Sequence, residues 1–212
     1  MINKLKRLSR SCFALFSVSA CILLTPSCKT TTNMDELASI PVMEYTKDNE
    51  TGTNYLTKAR VARSFLSKKG FNNVPIKTPD NFKVMVFDGR YRTVDYYHFR
   101  DFNKWFRKLL FNSGLMSGIE GARQNLDCDN YAMLYKSTMG VSSYKGDDTL
   151  DMAVAVVVVH QVNAWGGIPK GGLHMVNLIF TNRGWYIYEP QTNKFILLED
   201  YPNQEHIKYM IL

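Results

Sequence analysis

Apolar residues recur at helical spacing in the first half of the chain and run nearly unbroken, or alternate, in its last third. In residues 55–69 the apolar positions are Leu56, Ala59, Val61, Ala62, Phe65 and Leu66, with Lys58, Arg60, Arg63 and Lys68 on the opposite side. That spacing predicts an amphipathic helix, ended by Gly70. Pro75 and Pro79 mark a loop. Phe82 to Phe87 reads as a strand closed by an Asp88-Gly89 turn, with Arg92 to Tyr97 as its expected partner. Residues 98–111 place Phe99, Phe102, Trp105, Phe106, Leu109 and Leu110 on one helical face and Lys104, Arg107 and Lys108 on the other. Glycines 114, 118 and 121 then break the chain, and Asp129 to Met139 predicts a further helix, with Cys128 at its start. Beyond a polar turn, Met152 to Val159 has the β-branched run of a fully buried strand. A glycine-rich segment, Trp165 to Gly172, is expected to be a mobile loop. His174 to Phe180 and Trp185 to Tyr188 form a hairpin around Thr181-Asn182-Arg183-Gly184, and Phe195 to Leu198 is one more strand. Helices mainly first and strands mainly last predict an α+β domain, with N-terminal helices packed on a C-terminal antiparallel sheet.

The N-terminus changes what counts as the folded body. Lys4, Lys6, Arg7 and Arg10 precede an apolar run from Cys12 to Leu24, a length that fits the core of a signal peptide and falls short of the roughly 20 residues a membrane-spanning helix needs. The run ends in Leu24-Thr25-Pro26-Ser27-Cys28, which resembles a bacterial lipobox and implies lipidation of Cys28. The expected organisation is a signal peptide over 1–27, a lipid-anchored tether over 28–54 and one domain over 55–212, exported to the bacterial cell envelope. With 212 residues, 45% of them hydrophobic and 13% aromatic, the chain is long enough for one well-cored domain. Its net charge of +7 comes largely from the leader: removing residues 1–27 takes four of the 26 basic residues and no acid, leaving 22 against 19, or +3. So weak a balance gives no argument for a nucleic-acid partner.

The same reasoning isolates one thiol. Cys12 and Cys21 leave with the leader and Cys28 carries the lipid, so Cys128 stands alone in the domain. A thiolate is the reactive form of cysteine, and both a helix N-terminus and a neighbouring imidazolium favour it. Cys128 begins a predicted helix, and His174 begins a predicted strand. With the hairpin turn centred near Arg183, Glu189 at the end of the second strand falls level with His174, where its carboxylate can orient the ring. A lone thiol, then a histidine, then an acid is the order of a nucleophile, its base and the group that holds the base. Asp127 and Asp129 flank the thiol and oppose its ionisation if they face it. His98, His160 and His206 have no matching partners, and no spacing of His, Cys or acids suggests a metal site or a cofactor.

Three segments carry a resemblance: Cys128-Asp129-Asn130-Tyr131-Ala132, His174-Met175-Val176-Asn177, and Trp185-Tyr186-Ile187-Tyr188-Glu189-Pro190. Together they resemble the transglutaminase-like branch of the papain-like cysteine peptidase superfamily, over roughly residues 120–198. The resemblance implies a papain-like or transglutaminase-like α+β fold. It also implies a Cys128-His174-Glu189 triad in a thiol-dependent hydrolase or acyltransferase acting on peptide, isopeptide or related amide bonds. Glu stands where the family usually has Asp, which makes Gln191 and Asn177 alternative orienters. By position, Gln124 is the implied oxyanion donor, alongside the backbone N–H of Cys128. The expected partners are a peptide or protein substrate or peptidoglycan, and the membrane through the N-terminal lipid. Two alternatives stay open: a peptidoglycan endopeptidase of the NlpC/P60 type, and a binding module on the same fold that has lost catalysis.

Overall fold

The computed structural model describes residues 39–43, 55–116, 126–145 and 150–212. The predicted leader, Cys28, most of the tether and Gln124 lie outside the described residues. Among the described residues there are three α-helices and eight strands: β1 (Tyr55–Thr57), α1 (Lys58–Leu66), β2 (Lys83–Met85), β3 (Arg90–Arg92), α2 (Tyr96–Asn112), α3 (Cys128–Lys145), β4 (Val154–His160), β5 (Leu173–Phe180), β6 (Trp185–Glu189), β7 (Lys194–Leu197) and β8 (Ile207–Ile211).

Local chemistry sets the helix starts. Thr57 caps α1 by accepting the Arg60 amide at 3.1 Å, so the first three residues of the predicted helix are released to form β1. Asp95 caps α2 by accepting the amides of Tyr97 and His98 at 2.9 and 3.0 Å. That cap divides the strand expected over Arg92 to Tyr97. Arg92 ends β3, Tyr96 opens a helix, and β3 pairs with β1 rather than with β2. α3 starts at Cys128, and the Asn130 side chain accepts the Asp127 amide at 3.3 Å, which is the reciprocal half of a capping box.

The main sheet has the strand order β2-β8-β4-β5-β6-β7. Pairing is antiparallel from β8 to β7, while β2 runs parallel to β8, with Lys83 opposite Tyr209 and Met85 opposite Ile211. This corrects the expected C-terminal antiparallel sheet with helices on it: the sheet is mixed, and one strand comes from the N-terminal half. β8, which the sequence pattern did not single out, sits between β2 and β4.

Both faces of the sheet are covered. On one, Val157, Val159, Val176, Leu178, Trp185 and Ile187 pack with Val61 and Phe65 of α1. On the other, Val154, Ile179 and Tyr188 meet Phe99, Phe102 and Phe106 of α2 and Tyr131, Tyr135 and Met139 of α3. Two covered faces explain why β4 reads as an unbroken valine run rather than an alternating one. Tyr135 donates to Asn103 Oδ1 at 2.6 Å and packs against Tyr188 with ring centroids 4.5 Å apart, which locks α3 to α2 and to the sheet.

Candidate functional site

Cys128 is half-buried in the first turn of an 18-residue helix. The first amides of such a helix have no intrahelical partner and present partial positive charge. Across from it, β5 delivers His174, which is 7% exposed, and β6 delivers Glu189, which is fully buried. His174 Nε2 lies 2.5 Å from Glu189 Oε2. The Cys128 thiol is near enough to the ring to raise its pKa. The imidazole therefore stands between thiol and carboxylate.

The register differs from the expected one by two residues. β5 and β6 pair as far as Asn177 opposite Tyr188, and one further residue sets Glu189 against Val176. His174 and Glu189 are thus diagonal neighbours rather than level. Side chains reach across such a diagonal only when they are long. Glutamate, one methylene longer than aspartate, suits that span. The other Glu189 oxygen accepts the Gln191 amide at 3.0 Å, so the backbone of Gln191 holds the carboxylate that holds the ring.

Burial opposes a charge on His174, but the bonds to Cys128 and Glu189 and their negative charge outweigh it, and the pKa is raised from 6.5 to about 9. At neutral pH the ring is an imidazolium. His98 shows the opposite case: burial alone dominates there and pushes it down to about 4. The two aspartates beside Cys128 are exposed and hydrogen-bonded to one another, which raises the Asp129 carboxyl and lowers that of Asp127.

Asn177, one of the expected alternative orienters, is turned to other work. Its Nδ2 donates to Ala132 O at 2.9 Å and to Ala155 O at 3.3 Å, which ties α3 to the sheet one turn below Cys128. Sequence reasoning missed the loop over Glu189. Gly166 has φ +65°, and a Cβ there would lie 3.4 Å from the Cβ of Glu189. The loop expected to be mobile is fastened: Thr192 Oγ1 donates to Gly166 O, and Gln161 Nε2 to Ile168 O at 3.2 Å. The consecutive glycines were the available signal, since only glycine accepts this backbone at such close approach. Tyr201 is buried, and burial first, then the Glu189 charge, pushes its hydroxyl pKa up.

No family model matches the chain, and no curated protein does. Solved structures similar to it include one titled "PSL1a-E64 complex", at 13% identity and a TM-score of 0.47. A second is a Polyporus squamosus lectin bound to a human-type influenza-binding epitope, at 14% identity and a TM-score of 0.45. Each match covers 75% of this chain, and the chain spans 50% of each of those structures. Neither is a transglutaminase-like proteinase by title, and no model of that family matches. The expected family membership is corrected accordingly, and what rested on it falls with it: the papain-like or transglutaminase-like fold class, the thiol hydrolase or acyltransferase function, the enzyme class, the NlpC/P60 reading and the inactive module on that fold. At these identities and TM-scores the likeness carries neither a ligand nor an activity to this chain. Among the described residues no group of three His, Cys, Asp or Glu is placed to hold a metal ion, and no helix is long and apolar enough to cross a membrane.

Proposed function

We propose that the protein is a ligand-binding module whose site is a polarised thiol. In this reading the Cys128 sulfur adds to one atom of a polarised double bond in an electrophilic ligand, the π electron pair moves to the other atom, that atom takes the proton from His174, and Glu189 holds the ring in place. The observation that carries it is the His174 ring 2.5 Å from the buried Glu189 carboxylate and beside the Cys128 thiol, with its pKa raised to about 9. A cation beside a sulfur supports thiolate nucleophilicity. The first amides of α3, at Cys128, are open to accept negative charge that develops on a bound ligand. The leader-like and lipobox-like runs support a module tethered at Cys28 outside the cytoplasm, with its ligand met in the envelope.

Alkylation of the purified chain by iodoacetamide, followed by peptide mass analysis, tests the proposal. Cys128 is expected to take one label, and His174→Gln to slow that labelling at least tenfold at pH 6, where the wild-type ring is charged. Equal rates at pH 6 in wild type and His174→Gln would mean that the imidazolium does nothing for the sulfur, and would end the proposal.

A further inference from the structure

A second site lies on the outer side of α1, independent of the thiol. Val61 and Phe65 face the core, which turns Arg60, Arg63 and Ser67 outward. Together with Lys69, Asn72 and Asn73 they line a groove of about 460 Å³. Every acid is absent from its lining, while three cations are present. The imbalance is continuous in sequence: residues 55–74 contain Lys58, Arg60, Arg63, Lys68 and Lys69 and no acidic residue. Of these five, Lys68 is engaged elsewhere, 2.6 Å from Asp80. A module carrying +3 beyond residue 27 thus concentrates more than that positive charge in one short segment.

The groove has a floor and fixed walls. The Lys69 amide bonds Ser64 O at 2.9 Å, Gly70 bonds Val74 O at 2.7 Å, and Lys69 pairs with Pro75 across an isolated bridge. Asn72 and Asn73 take left-handed φ values of 50° and 62°, a conformation asparagine tolerates well, and so form one wall of the groove. On the opposite wall Arg60 and Arg63 stand three residues apart, on one helical face. Two guanidinium groups, an ammonium, hydroxyls and side-chain amides lining one groove are the donor types that suit the oxygens of a phosphate group. The volume exceeds the roughly 30 Å³ of one water molecule many times over, which leaves room for the group that carries the phosphate.

We infer that this groove binds a phosphate-bearing ligand, through Arg60, Arg63 and Lys69. The source of the phosphate is either a soluble phosphate compound or a lipid headgroup, and the two are separable by experiment. NMR titration of the full chain with inorganic phosphate is paired with co-sedimentation on phosphatidylglycerol against phosphatidylcholine vesicles. Both are run on wild type, on Arg60→Gln/Arg63→Gln and on Cys128→Ala. These arginines are exposed, so the double variant is expected to melt at the wild-type temperature.

Phosphate binding weakened at least tenfold in the double variant, with vesicle binding the same in both, supports the site with a soluble ligand. Phosphatidylglycerol binding weakened at least tenfold in the double variant and competed by phosphate supports it with a lipid headgroup. Cys128→Ala is expected to behave as wild type in either case, so the groove and the thiol site stand or fall separately. Phosphate and vesicle binding that are both absent, or both unchanged in the double variant, overturn the inference.

Discussion

His174 carries its proton because its two partners outweigh the burial that opposes it. Its pKa is raised from 6.5 to about 9, so folding stabilises the charged form. That contribution is complete below about pH 6.5 and is lost as pH rises through about 9. Chemical denaturation across that window is expected to show stability falling as pH rises, with the slope reduced in Glu189→Gln. In the same variant the ring loses its anionic partner while burial remains, so its NMR titration midpoint is expected to move down from about 9 toward or below 6.5. Truncating Glu189 to Ala removes the carboxylate that favours the charged ring and is expected to cost about 3–5 kcal/mol in urea denaturation at pH 6, where the wild-type ring is charged. Glu189→Asp keeps the charge but shortens the reach across the diagonal. Its titration midpoint is therefore expected to fall between those of wild type and Glu189→Gln.

At the scale of elements, Asn177 and Gly166 divide the labour around the site. Asn177 anchors α3 on the sheet and so sets where Cys128 stands. Asn177→Leu removes a buried donor to two carbonyls and is expected to lower stability by about 1–3 kcal/mol in thermal or urea melts. The titration of His174 should change less in it than in Glu189→Gln. Much of this level was legible in the sequence. The apolar stripe of Phe99, Phe102 and Phe106 marked α2, the valine run marked β4, and the turn at Thr181-Asn182-Arg183-Gly184 marked the β5–β6 hairpin. Each of those signals is local. The diagonal meeting of His174 with Glu189 was not legible, because it depends on where strand pairing stops rather than on where the turn lies. Nor was the use of Asn177, whose partners Ala132 and Ala155 are 45 and 22 residues away.

For the whole molecule, the sheet is joined by its least conspicuous strand. β8 offers only Ile207, Met210 and their neighbours as a pattern, too short to announce a central strand. Its parallel partner β2 lies more than 120 residues earlier, and no periodicity reports a pairing at that distance. The expectation of β2 pairing with the segment after Gly89 failed for this reason: the nearest extended segment in sequence was a better local guess than a distant one. Deleting residues 207–211 withdraws the hydrogen-bonding neighbour of both β2 and β4 and removes Ile207 and Met210 from the core. The deletion is expected to abolish cooperative melting by circular dichroism.

The place of β8 between β2 and β4 also sets a clock. A ribosome delivers β2 early, and its hydrogen-bonding edge then waits while α2, α3 and five further strands are made. Until residues 207–211 emerge, nothing joins β2 to the rest of the sheet. The last strand made is thus the one that brings β2 into the sheet, so this part of the fold closes only when synthesis is almost complete.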